Sequence, residues 1–150
     1  MIREATFLDI PAVFELCKKA YAESSNHQRL YAWDEEKAIS SLKIFILCNG
    51  ATVLIDEKGG VIRGFLIAEL TAPLGGVDII ATDVAFYVLP EHRGSLTAFR
   101  LIKKYESWAK KNGAKHIELG VSSGIDHEKT LSLYAFLGYR PLSVTYTKEV

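Results

Sequence analysis

Residues 77–98 read as an apolar run that halts at Pro90 and passes through Arg93-Gly94-Ser95-Leu96-Thr97-Ala98 into a helix. The first N–H groups of a helix have no intrahelical acceptor, and the helix dipole adds partial positive charge there. Such a junction is an anion site of the kind phosphates use. Gly94 lets backbone approach a ligand, Ser95 and Thr97 add hydroxyl donors, and Arg93 adds charge. An ordinary strand-to-helix turn with no ligand accounts for the same residues when the one glycine is taken alone. A second segment, Leu133-Tyr134-Ala135-Phe136-Leu137-Gly138-Tyr139, places a phenol on a helix that ends at Gly138. A tyrosine of pKa about 10 stays protonated at neutral pH and can serve as a general acid. Tyr134 reads equally as a core residue at helical spacing with Leu131 and Leu137. Asp83 within the apolar run and Glu69 at the end of the run before it are candidate bases; each also fits a solvated or salt-bridged carboxylate at a strand edge. Tyr87 and His92 are weaker candidates for the same task.

The elements that must position these groups follow from periodicity and punctuation. Residues 2–7 form a short strand, Asp9 offers a helix N-cap, and Pro11 suits the first turn. Val13, Leu16, Cys17 and Ala20 recur at helical spacing, so a helix is predicted over 10–24. The polar run Ser24–Arg29 reads as a loop, and Asp34 caps a second helix that runs to Leu47 and stops at Asn49-Gly50. Thr52–Ile55 and Val61–Leu70 make a hairpin, Pro73–Gly76 turns the chain, and Val77–Val88 is long and β-branched enough for a central strand. A helix over 95–112 carries its apolar stripe at Ala98, Leu101, Ile102, Tyr105, Trp108 and Ala109. A strand at His116–Val121, a helix at 127–137 and a last strand at Ser143–Lys148 complete the order β-α-α-β-β-β-α-β-α-β. The expectation is one α/β domain over residues 1–150, with helices on both faces of a mixed sheet.

Bulk properties narrow the function class. Hydrophobic residues make up 49% of the 150 and charged ones 24%, ordinary values for a folded chain with one substantial core. Lys plus Arg and Asp plus Glu each total 18, which argues against a protein that coats nucleic acid. Cys17 and Cys48 read as buried free thiols in a reducing compartment. With no apolar signal core at the start and no run long enough to span a bilayer, the expectation is a cytoplasmic protein with no membrane partner. His27, His92, His116 and His127 lack metal-ligand spacing, so no metal is expected. Gly59-Gly60 and Gly75-Gly76 are turns, and no Gly-x-Ser-x-Gly elbow is present.

Val88, Pro90, Glu91, Arg93 and Ala98, with the Leu-Tyr-x-x-x-Gly-Tyr step at 133–139, resemble the motifs of the GCN5-related N-acetyltransferases (GNAT). That resemblance is motif-grade over about residues 82–139. It departs at Leu96, where the family usually has glycine, and Gly94 sits two residues earlier. It implies a mainly antiparallel sheet flanked by helices and acetyl transfer from acetyl-CoA to a primary amine in a ternary complex. In the family, backbone amides of the loop hold the CoA pyrophosphate, here Arg93, Gly94, Ser95, Leu96, Thr97 and Ala98. The strand end Phe86, Tyr87 and Val88 would pair with pantetheine and supply an N–H for the oxyanion. His127 stands where the family often has a CoA-contacting Asn, and Tyr134 stands where it has its acid; the resemblance does not choose the base. It places the acceptor wall at Ser24–Asp34 with Tyr21, Tyr31 and Trp33, for a small-molecule or peptide amine, and makes a homodimer paired through the last strand an expectation. A non-catalytic acyl-CoA-binding module on the same fold is the alternative.

Overall fold

In–out alternation along the strands, reset by a bulge in the fourth, sorts the core into two layers. A computed structural model describes residues 1–150. Its strands are β1 (Ile2–Glu4), β2 (Ala51–Lys58), β3 (Val61–Thr71), β4 (Ile79–Val88) and β5 (Ala114–Glu118). They form one sheet in the order β1-β2-β3-β4-β5, antiparallel throughout except for the parallel β4–β5 pair. The helices are α1 (Ile10–Glu23), α2 (Ser25–Leu30), α3 (Glu35–Leu47), α4 (Thr97–Lys111) and α5 (His127–Phe136).

Val53, Ile55, Phe65, Ile67 and Tyr87 point to one face, where Val13, Phe14 and Leu16 of α1 and Leu42 of α3 cover them. Leu54, Leu66, Ala68, Ala81 and Val88 point to the other, under Leu101, Ile102, Tyr105, Trp108 and Ala109 of α4 and Tyr134 of α5. The predicted α4 stripe is thus the buried one, with Ala98 at its margin. Each large side chain fully buried here contributes about 1.5–3 kcal/mol. Helices on both faces of a mixed, mainly antiparallel sheet bear out the expected fold class.

The start of α4 is pinned from beneath. Asp56 is fully buried on β2, accepts from the Thr97 hydroxyl at 2.8 Å, and pairs with Arg63 at 2.6 Å. Burial would raise this carboxyl, but the Thr97 bond and the Arg63 charge outweigh it and hold it below its usual range. This anchor fixes the loop before α4 relative to the sheet.

Three expectations fail. Residues 25–30 are helical rather than a loop, because Ser24 accepts from the His27 N–H at 3.1 Å and caps a short turn that shows no apolar period. Residues 143–148 form no strand, since no neighbouring strand supplies a ladder; Leu142, Val144 and Tyr146 are exposed there. Cys48 is exposed at the end of α3 rather than buried, while Cys17 is half-buried and burial pushes its thiol up to about 12. No helix is long and apolar enough to cross a membrane.

Candidate active site

Two neighbouring strands part company at Asp83. β5 pairs with β4 only from Ile79 to Thr82, and the chain leaves the sheet after Glu118. From Asp83 to Val88, β4 is still bonded to β3 but has no neighbour on its other side. That edge offers unpaired backbone groups to any extended partner. Val84 lies between two residues that pair with the consecutive Ile67 and Ala68, so it is a bulge that re-aims the strand beside the opening. A cleft of about 830 Å³ fills the fork.

At the base of the fork, one residue, Gly120, holds both ionisable candidates. The Gly120 N–H donates to Asp83 Oδ1 at 2.7 Å, and the Tyr134 hydroxyl donates to the Gly120 carbonyl at 3.1 Å. Burial pushes the Asp83 carboxyl up to about 6, against the lowering pull of the Gly120 bond. Burial first, then the Asp83 charge, pushes the Tyr134 phenol well above its usual range. A carboxylate that titrates near neutrality beside a phenol that stays protonated is a base–acid pair suited to moving a proton from nitrogen and another to sulfur.

At the mouth of the cleft, Gly94 adopts φ 78°, a left-handed conformation that carries the chain from the strand into α4. Leu96, where a glycine was expected, has φ −76°, so a side chain fits without strain and stands in solvent. The demand for glycine has moved to position 94. The N–H groups of Gly94, Leu96, Ala98 and Phe99 have no acceptor within the chain, as a phosphate site requires. The side chains behave otherwise. The Thr97 hydroxyl turns inward to Asp56, and the Ser95 hydroxyl donates to the His92 carbonyl at 2.6 Å. Arg93 is committed to the protein: it clamps Glu23 through both terminal nitrogens, at 2.5 and 2.7 Å, and donates from Nε to the Val88 carbonyl at 2.9 Å. Its guanidinium also lies 5.3 Å from the Tyr87 ring centroid, and the Tyr87 hydroxyl donates to Glu23 at 2.9 Å. Arg93 therefore ties the ends of α1 and β4 to the loop.

Across the cleft, the rings of Tyr21 and Tyr31 stand 5.5 Å apart and those of Tyr21 and Trp33 5.3 Å apart. The α2 turn bridges the cleft: Ser24 Oγ donates to the Ser123 carbonyl at 2.7 Å, Asn26 donates to the Ser122 carbonyl at 3.1 Å, and His27 Nε2 contacts Ser122 Oγ at 3.2 Å.

The model of the acetyltransferase (GNAT) family matches residues 10–139. The chain belongs to the GNAT family. No curated protein matches it in sequence. Among solved structures, the chain is similar to AAC(6')-Iy in complex with the bisubstrate analogue CoA-S-monomethyl-acetylneamine, with a TM-score of 0.79 at 17% identity over 100% of this chain and 98% of that one. A transcriptional regulator from Bacillus halodurans gives 0.80 at 19% identity, covering 100% and 99%. A ribosomal-protein-alanine N-acetyltransferase from Brucella melitensis biovar Abortus 2308 gives 0.77 at 19% identity, covering 100% and 98%. At these identities the likeness speaks for the fold.

On this GNAT frame, the cleft brings together Asp83, Phe86, Tyr87, Val88, Arg93, Gly94, Ser95, Ala98 and Tyr134 from the residues singled out in the sequence. Glu69, Leu96, Thr97 and His127 do not line it. Glu69 pairs with Thr82 on β3, and His127 is exposed on the first turn of α5. Asp126, beside His127, does not cap α5 through its side chain; it lies 3.5 Å from Arg93. Sequence reasoning missed Gly120 and Glu23. A glycine just past a strand hints at the first, but nothing local marks a glutamate that meets an arginine 70 positions away.

Proposed function

We propose that this GNAT protein transfers the acetyl group of acetyl-CoA directly to a primary amine, with Asp83 as base and Tyr134 as acid. The observation that carries the reading is the Gly120 backbone, whose N–H and carbonyl hold the two groups at the fork where β4 offers its free edge. The residues present fit CoA: the unpaired amides of the glycine loop suit a pyrophosphate, and the Phe86–Val88 edge suits an extended, amide-containing arm. Acetyl-CoA supplies an acyl group on a thiolate leaving group.

The chain's own residues handle the protons. An alkyl ammonium of pKa about 10.4 cannot attack until it gives up a proton. Asp83, titrating near 6, takes that proton inside the cleft. An N–C bond then forms at the acetyl carbon while the C–S bond breaks. A backbone N–H on the free edge of β4 would stabilise the carbonyl oxygen as it gathers charge. Tyr134 gives its proton to sulfur. Of the two protons that leave nitrogen, one makes good the Tyr134 phenol and the other passes from Asp83 to solvent. Glu69 stands off the cleft, so the base role falls to Asp83. Free thiols at Cys17 and Cys48 accord with a reducing compartment such as the cytoplasm.

Steady-state rates of thiol release with varied amine and acetyl-CoA test this reading. Intersecting double-reciprocal lines and amine-dependent release are expected. Acetyl-CoA binding with no amine-dependent release from any amine would leave a binding module instead.

A further inference from the structure

Charge is scarce where an acceptor would lie. Only two carboxylates line the cleft, Asp83 and Asp126. Asp126 is already matched by Arg93 at 3.5 Å and Lys129 at 3.9 Å. Glu23, at the end of α1, is occupied by Arg93 and the Tyr87 hydroxyl. One uncompensated carboxylate is left, so the cleft satisfies one ammonium group.

The wall away from the glycine loop is apolar and aromatic. Tyr21 and Trp33 stack against each other in a tilted array that Tyr31 extends, and Leu42 and Phe45 continue it along α3. The Tyr21 hydroxyl is spent on the Tyr31 carbonyl at 2.8 Å, so Tyr21 presents ring rather than a polar group. Such a surface gains by covering an apolar body; its ring faces attract a cation only weakly, and a second ammonium laid there would find no free carboxylate to replace its water. The bridge from α2 to Ser122 and Ser123 limits the width of the opening.

We infer that the acceptor is an aromatic monoamine, a flat apolar body carrying one primary ammonium, and not a polycationic aminosugar. This rests on the acetyl-transfer reading for its chemistry, but the binding surface stands apart from turnover. Here the chain parts from AAC(6')-Iy, an aminoglycoside N-acetyltransferase of the same fold.

The test separates binding from turnover. Calorimetry on the CoA-loaded protein should show 2-phenylethylamine binding at least tenfold tighter than kanamycin or spermidine. Turnover with acetyl-CoA should rank the amines in the same order. Tyr31→Glu, at an exposed position, should weaken 2-phenylethylamine at least tenfold and strengthen spermidine, with the Kd for CoA unchanged. Trp33→Leu should raise the KM for 2-phenylethylamine with little change in kcat, and circular dichroism confirms that both variants fold. Preference for kanamycin or spermidine in binding, or a Tyr31→Glu variant that leaves the order of amines unchanged, overturns the inference. Selective binding of 2-phenylethylamine without turnover would uphold the acceptor class while removing the catalytic reading. Turnover of kanamycin alone would do the reverse.

Discussion

Asp83→Asn lowers kcat/KM for the amine by about 10²–10⁴, the usual worth of a positioned general base. The variant keeps an oxygen for the Gly120 N–H and loses only the capacity to take a proton. In the wild type, activity rises as the carboxyl ionises near pH 6, so that limb of the pH profile disappears in the variant. Stability moves the opposite way. The folded carboxyl titrates at about 6 against an ordinary 3.8, so the folded state holds the proton more tightly than the unfolded one. Its stabilising contribution is complete below about pH 4 and is lost as pH rises through about 6. Two pH units at about 1.4 kcal/mol each, discounted for the partial access of solvent to the strand edge, make the ionised Asp83 a burden of about 2 kcal/mol at pH 7.5. Urea melts should find Asp83→Asn more stable than wild type by about that amount at pH 7.5 and nearly equal to it at pH 3.5. A variant that is no slower, or whose rate still rises through pH 6, would remove Asp83 from the reaction.

Tyr134→Phe produces the second large loss, about 10²–10³ in kcat, with the KM for acetyl-CoA changed little. The ring keeps its place in the core beside Leu101 and Tyr105, so packing is retained. The lost bond to the Gly120 carbonyl costs about 1 kcal/mol. A purely structural tyrosine predicts that stability cost alone, without loss of kcat. The two roles separate further through the leaving group. A thioester whose thiol is more acidic than that of CoA needs less protonation, so it should restore much of the variant's rate relative to wild type. An unchanged kcat at every pH, or no recovery with the better leaving group, would make Tyr134 a core residue only.

The scaffold was legible wherever one physical signal dominated. The 3.6-residue stripe of α4 announced its buried face and the apolar runs of β2 and β3 announced their strands, because burial acts on local pattern. Signals failed where a distant partner decides. Ser24 begins a helix because it caps His27 and reaches Ser123, and neither contact is written in a run of polar residues. Residues 143–148 have strand-like composition, but a strand exists only beside another. In the candidate site, most of the residues singled out in the sequence come together at one cleft, while several of their side chains are bonded within the protein. Arg93 and Thr97 suggested ligand contacts, yet they hold the loop to Glu23 and to Asp56. The backbone amides of Gly94, Leu96, Ala98 and Phe99 stay without acceptors in the chain. Leu96 departs from the motif without backbone strain because its φ is an ordinary −76°, with the left-handed turn supplied by Gly94.

A single turnover with protein in excess over labelled acetyl-CoA, quenched at intervals in the presence of 2-phenylethylamine, tests the central claim most directly. The predicted result is label passing to N-acetyl-2-phenylethylamine at the rate at which acetyl-CoA disappears, with none on the protein at any time. Label held on the protein at any time before it reaches an amine would contradict direct transfer at the Asp83–Gly120–Tyr134 fork.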